Sequence, residues 1–440
     1  MIKLNKSLNY YKKYKKTIAA PSTFGKSIDQ FANSSSPFAL SKGKGAYTFD
    51  IDGNKYTDTM MALGSVFLGH SNNEVNKSIK NQLKKGISFS LTSDLELELG
   101  ELINKHVDSS EYVRFGKNGS DVTSAAIRLS RHYSNNDHVL FCGYHAWQDW
   151  YISKTSMNGG VPKVISEYSH RFDYNNIKSL EDLLIKYRNK VACIILEPVS
   201  KAEPICNNLC SYCKNSCMGF LKGVKKLSTK YKVILIFDEI VTGFRFNLGG
   251  YQKIAKIKPD LSCFSKSMAN GMPISALVGN KKIMKKSNEI FYSLTFGGEA
   301  LSLAASITTI NIIHKEGVCE FVGEIGQYFM NSVNDLIEKH NLNDTIKIIG
   351  FPHKSILLFN NFGPHTGDEI RTLWIKLMTL NGVLNVGYFI FSFSHNKKII
   401  NQLLSKIDIS LITIKKAIMS NNKILDKNDN IARKTARDIL

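Results

Sequence analysis

Two acids directly follow five apolar residues in Val233-Ile234-Leu235-Ile236-Phe237-Asp238-Glu239. A carboxylate that ends a buried run is costly unless something uses it. Asp238 at such a place can hold a proton on a heterocyclic nitrogen by charge pairing, which a pyridinium needs to act as an electron sink. Further on, Cys263-Phe264 leads into Ser265-Lys266-Ser267-Met268-Ala269-Asn270-Gly271-Met272-Pro273. A lysine partly removed from water loses its proton more readily and attacks an aldehyde. Any one lysine taken alone is more simply a solvated surface side chain, so Lys266 draws its meaning from its company.

Three other sites have the same form, an apolar run and then a chemical group. After Phe115 comes Gly116-Lys117-Asn118-Gly119-Ser120-Asp121, and then a helical stretch. A Gly-Ser turn at a helix start offers free N–H groups and the positive end of the helix dipole, which suits a phosphate. The plainer reading is an N-cap by Ser120 or Asp121. After Cys142 comes Gly143-Tyr144-His145-Ala146-Trp147, whose aromatics can stack on a planar ligand, although aromatics at strand ends usually serve the core. After Leu196 comes Glu197-Pro198-Val199, another carboxylate that must find a partner.

The elements that would carry these groups alternate. Strands are expected at Val113-Arg114-Phe115, His138 to Cys142, Val191 to Leu196 and Val233 to Phe237, with helices such as Val122 to Tyr133 and Gly219 to Tyr231 between them. That order implies an α/β fold with a mainly parallel sheet covered on both faces. Ligands of such sheets gather beyond the carboxyl ends of the strands, where all five groups fall. Upstream, Ala46 to Asp58 reads as a hairpin turning at Asp52-Gly53. From about residue 306 the pattern becomes α+β, with helices expected over 306–314, 322–340 and 398–418 and strands over 355–359 and 389–394. The expected domains are an N-terminal arm and hairpin over 1–64, packing with the small domain, a large domain over 65–305 and the small domain over 306–440.

The 440 residues are 43% hydrophobic and 22% charged, an ordinary globular balance. There is no apolar run of membrane-spanning length and no secretory signal, so no membrane partner and a cytoplasmic location are expected. The net charge of +21 comes from 58 basic and 37 acidic residues. The lysines are spread through the chain without a nucleic-acid-binding motif, so no nucleic-acid partner is expected. A positive field still helps to draw in phosphates and carboxylates.

In this order and spacing the segments resemble the class-III (fold-type I) pyridoxal-phosphate aminotransferases, and within them the glutamate-1-semialdehyde 2,1-aminomutase-like branch. The resemblance runs from about residue 20 to 418. It rests on Gly45 to Gly53, Leu68-Gly69-His70, Asn118-Gly119-Ser120-Asp121, Gly143-Tyr144-His145, Glu197-Pro198-Val199, Phe237-Asp238-Glu239 with Thr242-Gly243-Phe244-Arg245, Lys266 to Pro273, and Thr295-Phe296-Gly297-Gly298. The resemblance implies a cofactor, pyridoxal 5'-phosphate, held as a Schiff base by Lys266, which later moves the α-proton. It implies that Asp238 pairs with the pyridine nitrogen, that Tyr144 stacks on the ring, and that Asn118, Gly119 and Ser120 form the phosphate turn. Glu197 and His145 would line the pocket. Thr295 would reach the phosphate of a partner subunit in a homodimer with shared active sites, acting on a small amino or carbonyl substrate.

The branch has departures. Asn118-Gly119-Ser120-Asp121 replaces the usual Ser-Gly-Thr-Glu, Leu63-Gly64-Ser65 replaces Trp-Gly-Pro, and Gly298-Glu299-Ala300 replaces Gly-Asn-Pro. These weaken the specific aminomutase reading and leave the cofactor reading intact. A transaminase acting on a keto-sugar or another carbonyl acceptor is the alternative. An inactive scaffold is the second, and the retention of both Lys266 and Asp238 argues against it. Finally, Cys206, Cys210, Cys213 and Cys217 crowd into an apparent insertion. Four thiolates so spaced suit a structural Zn²⁺ or an iron–sulfur cluster, and the plain alternative is a loop of free cysteines.

Overall fold

The computed structural model describes residues 2–205, 219–420, 422–426 and 429–434. The four cysteines Cys206, Cys210, Cys213 and Cys217 lie outside the described residues, so their metal reading has no structural account. The chain divides into two units, one of residues up to Asn72 with those from Glu320 onward, the other Asn73–Cys319.

In the larger unit the apolar runs form seven strands: β1 Tyr112–Gly116, β2 His138–Cys142, β3 Ser169–Arg171, β4 Val191–Leu196, β5 Ile234–Asp238, β6 Leu261–Phe264 and β7 Ser275–Gly279. They lie in the order β1-β7-β6-β5-β4-β2-β3. The contiguous set from β6 to β3 is parallel, while β7 runs antiparallel to both β1 and β6. Sequence reading missed β3 and β7. β3 is short and polar. β7 reverses direction because residues 265–274 hold only a 3-10 turn, and a parallel return needs a crossover of about a dozen residues or more.

Helices α1 Gly119–Ser134, α2 Gly219–Tyr231, α3 Tyr251–Ala255 and α4 Ala300–Lys315 follow β1, β4, β5 and β7 respectively. Helix α1 lays Val122, Ala126 and Leu129 on Phe141, Ile195 and Ile236 of the strands, all of them buried. At roughly 1.5–3 kcal/mol per buried large side chain, this face fixes the start of α1 against the sheet. The helix expected over 306–314 is longer, beginning at Ala300, and it belongs to this unit.

The parallel strands end in register. Cys142 pairs with Leu196, Leu196 with Phe237, and Asp238 with Cys263. Gly116 at the end of β1 pairs with Ser275, one residue from the pair Ala276–Phe264. All five sequence-predicted groups therefore leave the sheet along one edge.

In the smaller unit the expected hairpin is Tyr47–Asp50 with Lys55–Asp58, and Gly53 takes the positive φ of +90° that its turn requires. Val383–Leu384 extends it in parallel. A second sheet joins Ile346–Phe351, Lys354–Phe359 and Tyr388–Phe389. The helices Asn5–Thr17, Gly367–Leu380 and Lys397–Ile418 also belong to it, as does Val318–Lys339 from Glu320 onward. Among the described residues no helix is long and apolar enough to cross a membrane.

Candidate active site

At the end of β1 the chain turns into α1 with Asn118 as N-cap. The Asp121 carboxylate reaches back to accept the N–H of Lys117 at 3.1 Å and of Asn118 at 2.7 Å. It is the N3 partner in a capping box whose N-cap is Asn118, so neither Ser120 nor Asp121 is itself the N-cap that the sequence suggested. Ser120 does not cap. It is 6% exposed, and no hydrogen bond engages its hydroxyl among the described residues. The N–H groups of Gly119 and Ser120 belong to the first turn, which has no intrahelical partners. Gly119 is needed for closeness, since a Cβ there would lie 2.5 Å from Ile240 Cδ1. Unpaired N–H groups, a free hydroxyl and a helix dipole together make a cradle for a phosphate.

At the end of β2, Gly143 has φ +103°, and a Cβ there would press on Glu197 Oε2. The Tyr144 N–H donates to the same oxygen at 3.0 Å. Tyr144 is half-buried and meets Tyr151 edge-on. His145 turns under the sheet edge. Its ring stacks on Trp150 and its side chain is 0% exposed. Nδ1 lies 2.7 Å from Asp238 Oδ2, and Nε2 lies 3.1 Å from the Cys142 carbonyl oxygen. The imidazole therefore meets Asp238 from behind and does not open on solvent.

The two acids after β5 part company. Asp238 is buried, with Oδ1 accepting the Ile240 N–H at 3.1 Å and Oδ2 facing His145. Glu239 turns the other way and accepts from the Thr242 hydroxyl and from the N–H groups of Tyr251 and Gln252, both at 2.8 Å, so it caps α3. Burial pushes its carboxyl up to about 7, against the pull of those donors. Sequence alone could not divide these roles.

Lys266 opens the 3-10 turn Lys266–Ala269 with φ +44°, a left-handed backbone that costs a non-glycine residue about 1 kcal/mol or more. It comes three residues after Cys263, the register partner of Asp238 on the neighbouring strand. Ser265 anchors the approach by donating to the Ile274 carbonyl at 2.7 Å. The fully buried Arg245 holds the far side, its Nε donating to Ser267 Oγ at 3.2 Å. Arg245 is a positioning group that the sequence placed in the Thr242-Gly243-Phe244-Arg245 segment without giving it a role. Its signal was a cation inside an otherwise apolar segment.

Thr295 stands on an exposed loop. No hydrogen bond of its side chain occurs among the described residues. A lysine at a strand end, a buried acid, a half-buried tyrosine and a helix start with unpaired N–H groups suit a phosphorylated pyridine aldehyde. Comparison with known proteins agrees. The family profile described as aminotransferase class-III matches residues 30–351.

The chain belongs to the class-III aminotransferases.

It is 29% identical over 421 residues to 3-aminobutyryl-CoA aminotransferase of Cloacimonas acidaminovorans, covering 95% of this chain and 99% of that one. It is 33% identical over 316 residues to glutamate-1-semialdehyde 2,1-aminomutase of Archaeoglobus fulgidus, covering 69% of this chain and 73% of that one. The fold matches the FumI protein of Sphingopyxis sp. MTA144, solved in its PLP internal aldimine form, with a TM-score of 0.85 at 22% identity over 95% and 98% of the two chains. This class-III aminotransferase is thus a fold-type I, pyridoxal-phosphate-dependent enzyme of amino-group transfer acting on small amino and carbonyl compounds. Among the described residues no group of three or more His, Cys, Asp or Glu side chains could hold a metal.

Proposed function

We propose that this enzyme is a two-substrate transaminase whose cofactor is carried by Lys266. When bound, pyridoxal phosphate supplies an aldehyde that condenses with amines and a ring that withdraws electrons from the adjoining carbon. Lys266 is the amine that holds the cofactor and, once released by substrate, accepts and returns the substrate's α-proton at Nζ. Asp238 presents a carboxylate oxygen to the ring nitrogen and keeps that nitrogen protonated. His145 orients Asp238 from behind. Tyr144 covers one face of the ring, and its N–H fixes Glu197 at the pocket wall. Gly119 and Ser120 bind the phosphate through their N–H groups and the Ser120 hydroxyl, and Asn118 shapes that turn as the N-cap.

The observation that carries the two-substrate reading is the match to 3-aminobutyryl-CoA aminotransferase over 95% of this chain and 99% of that one, where the aminomutase matches cover between 68% and 85% of this one. The changed segment Leu63-Gly64-Ser65 supports it. Met61, Ala62 and Leu63 there take left-handed backbone, with φ of 45°, 51° and 60°, a run that differs from the aminomutase segment in sequence. The acceptor is an anionic carbonyl compound, in keeping with the net charge of +21. The test is a half-reaction. Enzyme with an amino acid donor and no acceptor should release one equivalent of keto acid. An aminomutase releases none, and the conversion of glutamate-1-semialdehyde to 5-aminolevulinate would overturn the reading.

The enzyme works as a homodimer in the cytoplasm. Leu91 is 85% exposed and Phe291 80%, and Phe89, Leu97 and Phe296 are also largely bare. So much apolar surface beside the Thr295 loop supports a second copy covering it, with Thr295 reaching the partner's phosphate. Light scattering of the purified enzyme at twice the chain mass is expected. The four described cysteines are free thiols, which suits a reducing compartment.

A further inference from the structure

A lysine inside a phosphate turn invites the reading that it binds the phosphate. The geometry of Lys117 points elsewhere. Its Nζ lies 2.7 Å from Glu299 Oε1, 3.0 Å from the Pro273 carbonyl oxygen and 3.3 Å from Ser302 Oγ. An ammonium has three hydrogens to donate, and these three acceptors use them all. The pair is largely enclosed, with side-chain exposures of 16% for Lys117 and 10% for Glu299. At such exposure, removing one partner leaves an uncompensated charge largely out of water, which costs more than breaking a surface bridge.

What matters is which segments the three acceptors sit on. The Lys117 backbone belongs to the turn that leads into Gly119 and Ser120, and its N–H is held by Asp121. Pro273 closes the loop that begins at Lys266. Glu299 is the N-cap of α4, where its carboxylate accepts the N–H groups of Leu301 at 2.8 Å and Ser302 at 3.1 Å. Deeper along α4, Ser306 Oγ donates to the Met268 carbonyl at 2.9 Å, inside the Lys266 turn. One cation therefore gathers the phosphate turn, the far end of the lysine loop and the start of the helix that buttresses that loop. Desolvation raises the Glu299 carboxyl, but Lys117, Ser302 and the Leu301 N–H outweigh it and hold the group below its ordinary range. It stays ionised, as a clasp requires.

We propose that Lys117 and Glu299 form a clasp that sets the geometry of the cofactor-phosphate cradle, as positioning residues that do not touch the phosphate. This rests on the reading that Gly119 and Ser120 hold that phosphate. Breaking the clasp lets the turn carrying Ser120 drift from the Lys266 loop, so a ligand that spans both is weakened. A ligand that engages only the lysine loop is not.

The experiment titrates the apo form of the full chain with pyridoxal phosphate and, separately, with pyridoxal, and follows the visible absorbance of each complex. Lys117→Met and Glu299→Gln should each weaken pyridoxal phosphate by roughly tenfold, the scale on which contacts behind a ligand-binding group act, and leave pyridoxal unchanged. Lys117→Arg should recover part of the loss. The swap Lys117→Glu with Glu299→Lys should do better than either single reversal. Equal weakening of both ligands would mean general destabilisation and overturn the clasp. So would an unchanged preference for the phosphorylated ligand. Ser120→Ala separates the two readings. If it fails to reduce that preference, the phosphate assignment falls. If it reduces the preference while Lys117→Met does not, only the clasp falls. Melting of each apo variant checks that the chain still folds.

Discussion

His145 Nδ1 lies 2.7 Å from Asp238 Oδ2 while its Nε2 faces the Cys142 carbonyl oxygen at 3.1 Å. A carbonyl oxygen only accepts, so Nε2 carries a hydrogen. One further proton must then lie between Nδ1 and Oδ2, on one atom or the other. With no solvent access to either ring nitrogen, that proton is held in place and Asp238 has one fixed orientation. Its Oδ1 accepts the Ile240 N–H and has capacity for a second donor.

Replacing this acid should therefore disable the chemistry and spare the fold. Asp238→Asn is expected to lower kcat by a hundredfold or more, on the order of what a preorganised charge contributes, with melting temperature little changed. His145→Gln, which keeps a donor but loses the imidazole proton, should show a smaller loss. Steady-state kinetics with both variants checks the order. Equal loss in both would contradict a supporting place for His145.

Gly119 should tolerate no side chain. A Cβ would lie 2.5 Å from Ile240 Cδ1 and 3.1 Å from its Cγ2, so Gly119→Ala should cost about 1–3 kcal/mol as overpacking does. The displaced residue also donates to Asp238, so cofactor affinity should fall with stability. In an Ile240→Ala background the same substitution should cost much less. Denaturant midpoints of the four proteins in this cycle measure the coupling.

Much of this was legible in the chain. Long apolar runs such as Val191–Leu196 announce buried strands whatever surrounds them, and the groups placed at their ends follow from the parallel order. The hairpin around Gly53 is local chemistry. What sequence could not supply was non-local. Strand β7, Ser275-Ala276-Leu277-Val278-Gly279, has only two large apolar residues to announce it, and its direction depends on the shortness of the loop before it. The split between Asp238 and Glu239 depends on which neighbour supplies donors, and those of Glu239 lie at residues 242, 251 and 252. No role for Lys117 was legible, because its acceptors, Pro273 and Glu299, are remote in the chain.

Glu239 sets a pH dependence of stability. Its carboxyl titrates at about 7 in the folded chain because burial disfavours the charged form, against about 4.3 for an exposed glutamate. Between these values the folded state holds a proton that the unfolded state has lost. The group's contribution is therefore complete below the lower value and declines as pH rises through the higher one. Glu239→Gln should flatten the fall in melting temperature between about pH 5 and 7.5. A variant that tracks the parent throughout would contradict the assignment.

The central claim is that one lysine, Lys266, carries the cofactor. The most direct measurement is borohydride reduction of the purified enzyme, which fixes the cofactor to the amine it has condensed with, followed by peptide mapping. The account predicts a single modified peptide bearing the reduced pyridoxyl group on Lys266, and none in Lys266→Ala treated alike. Modification of a different lysine, or none in an enzyme that has taken up the cofactor, would contradict it.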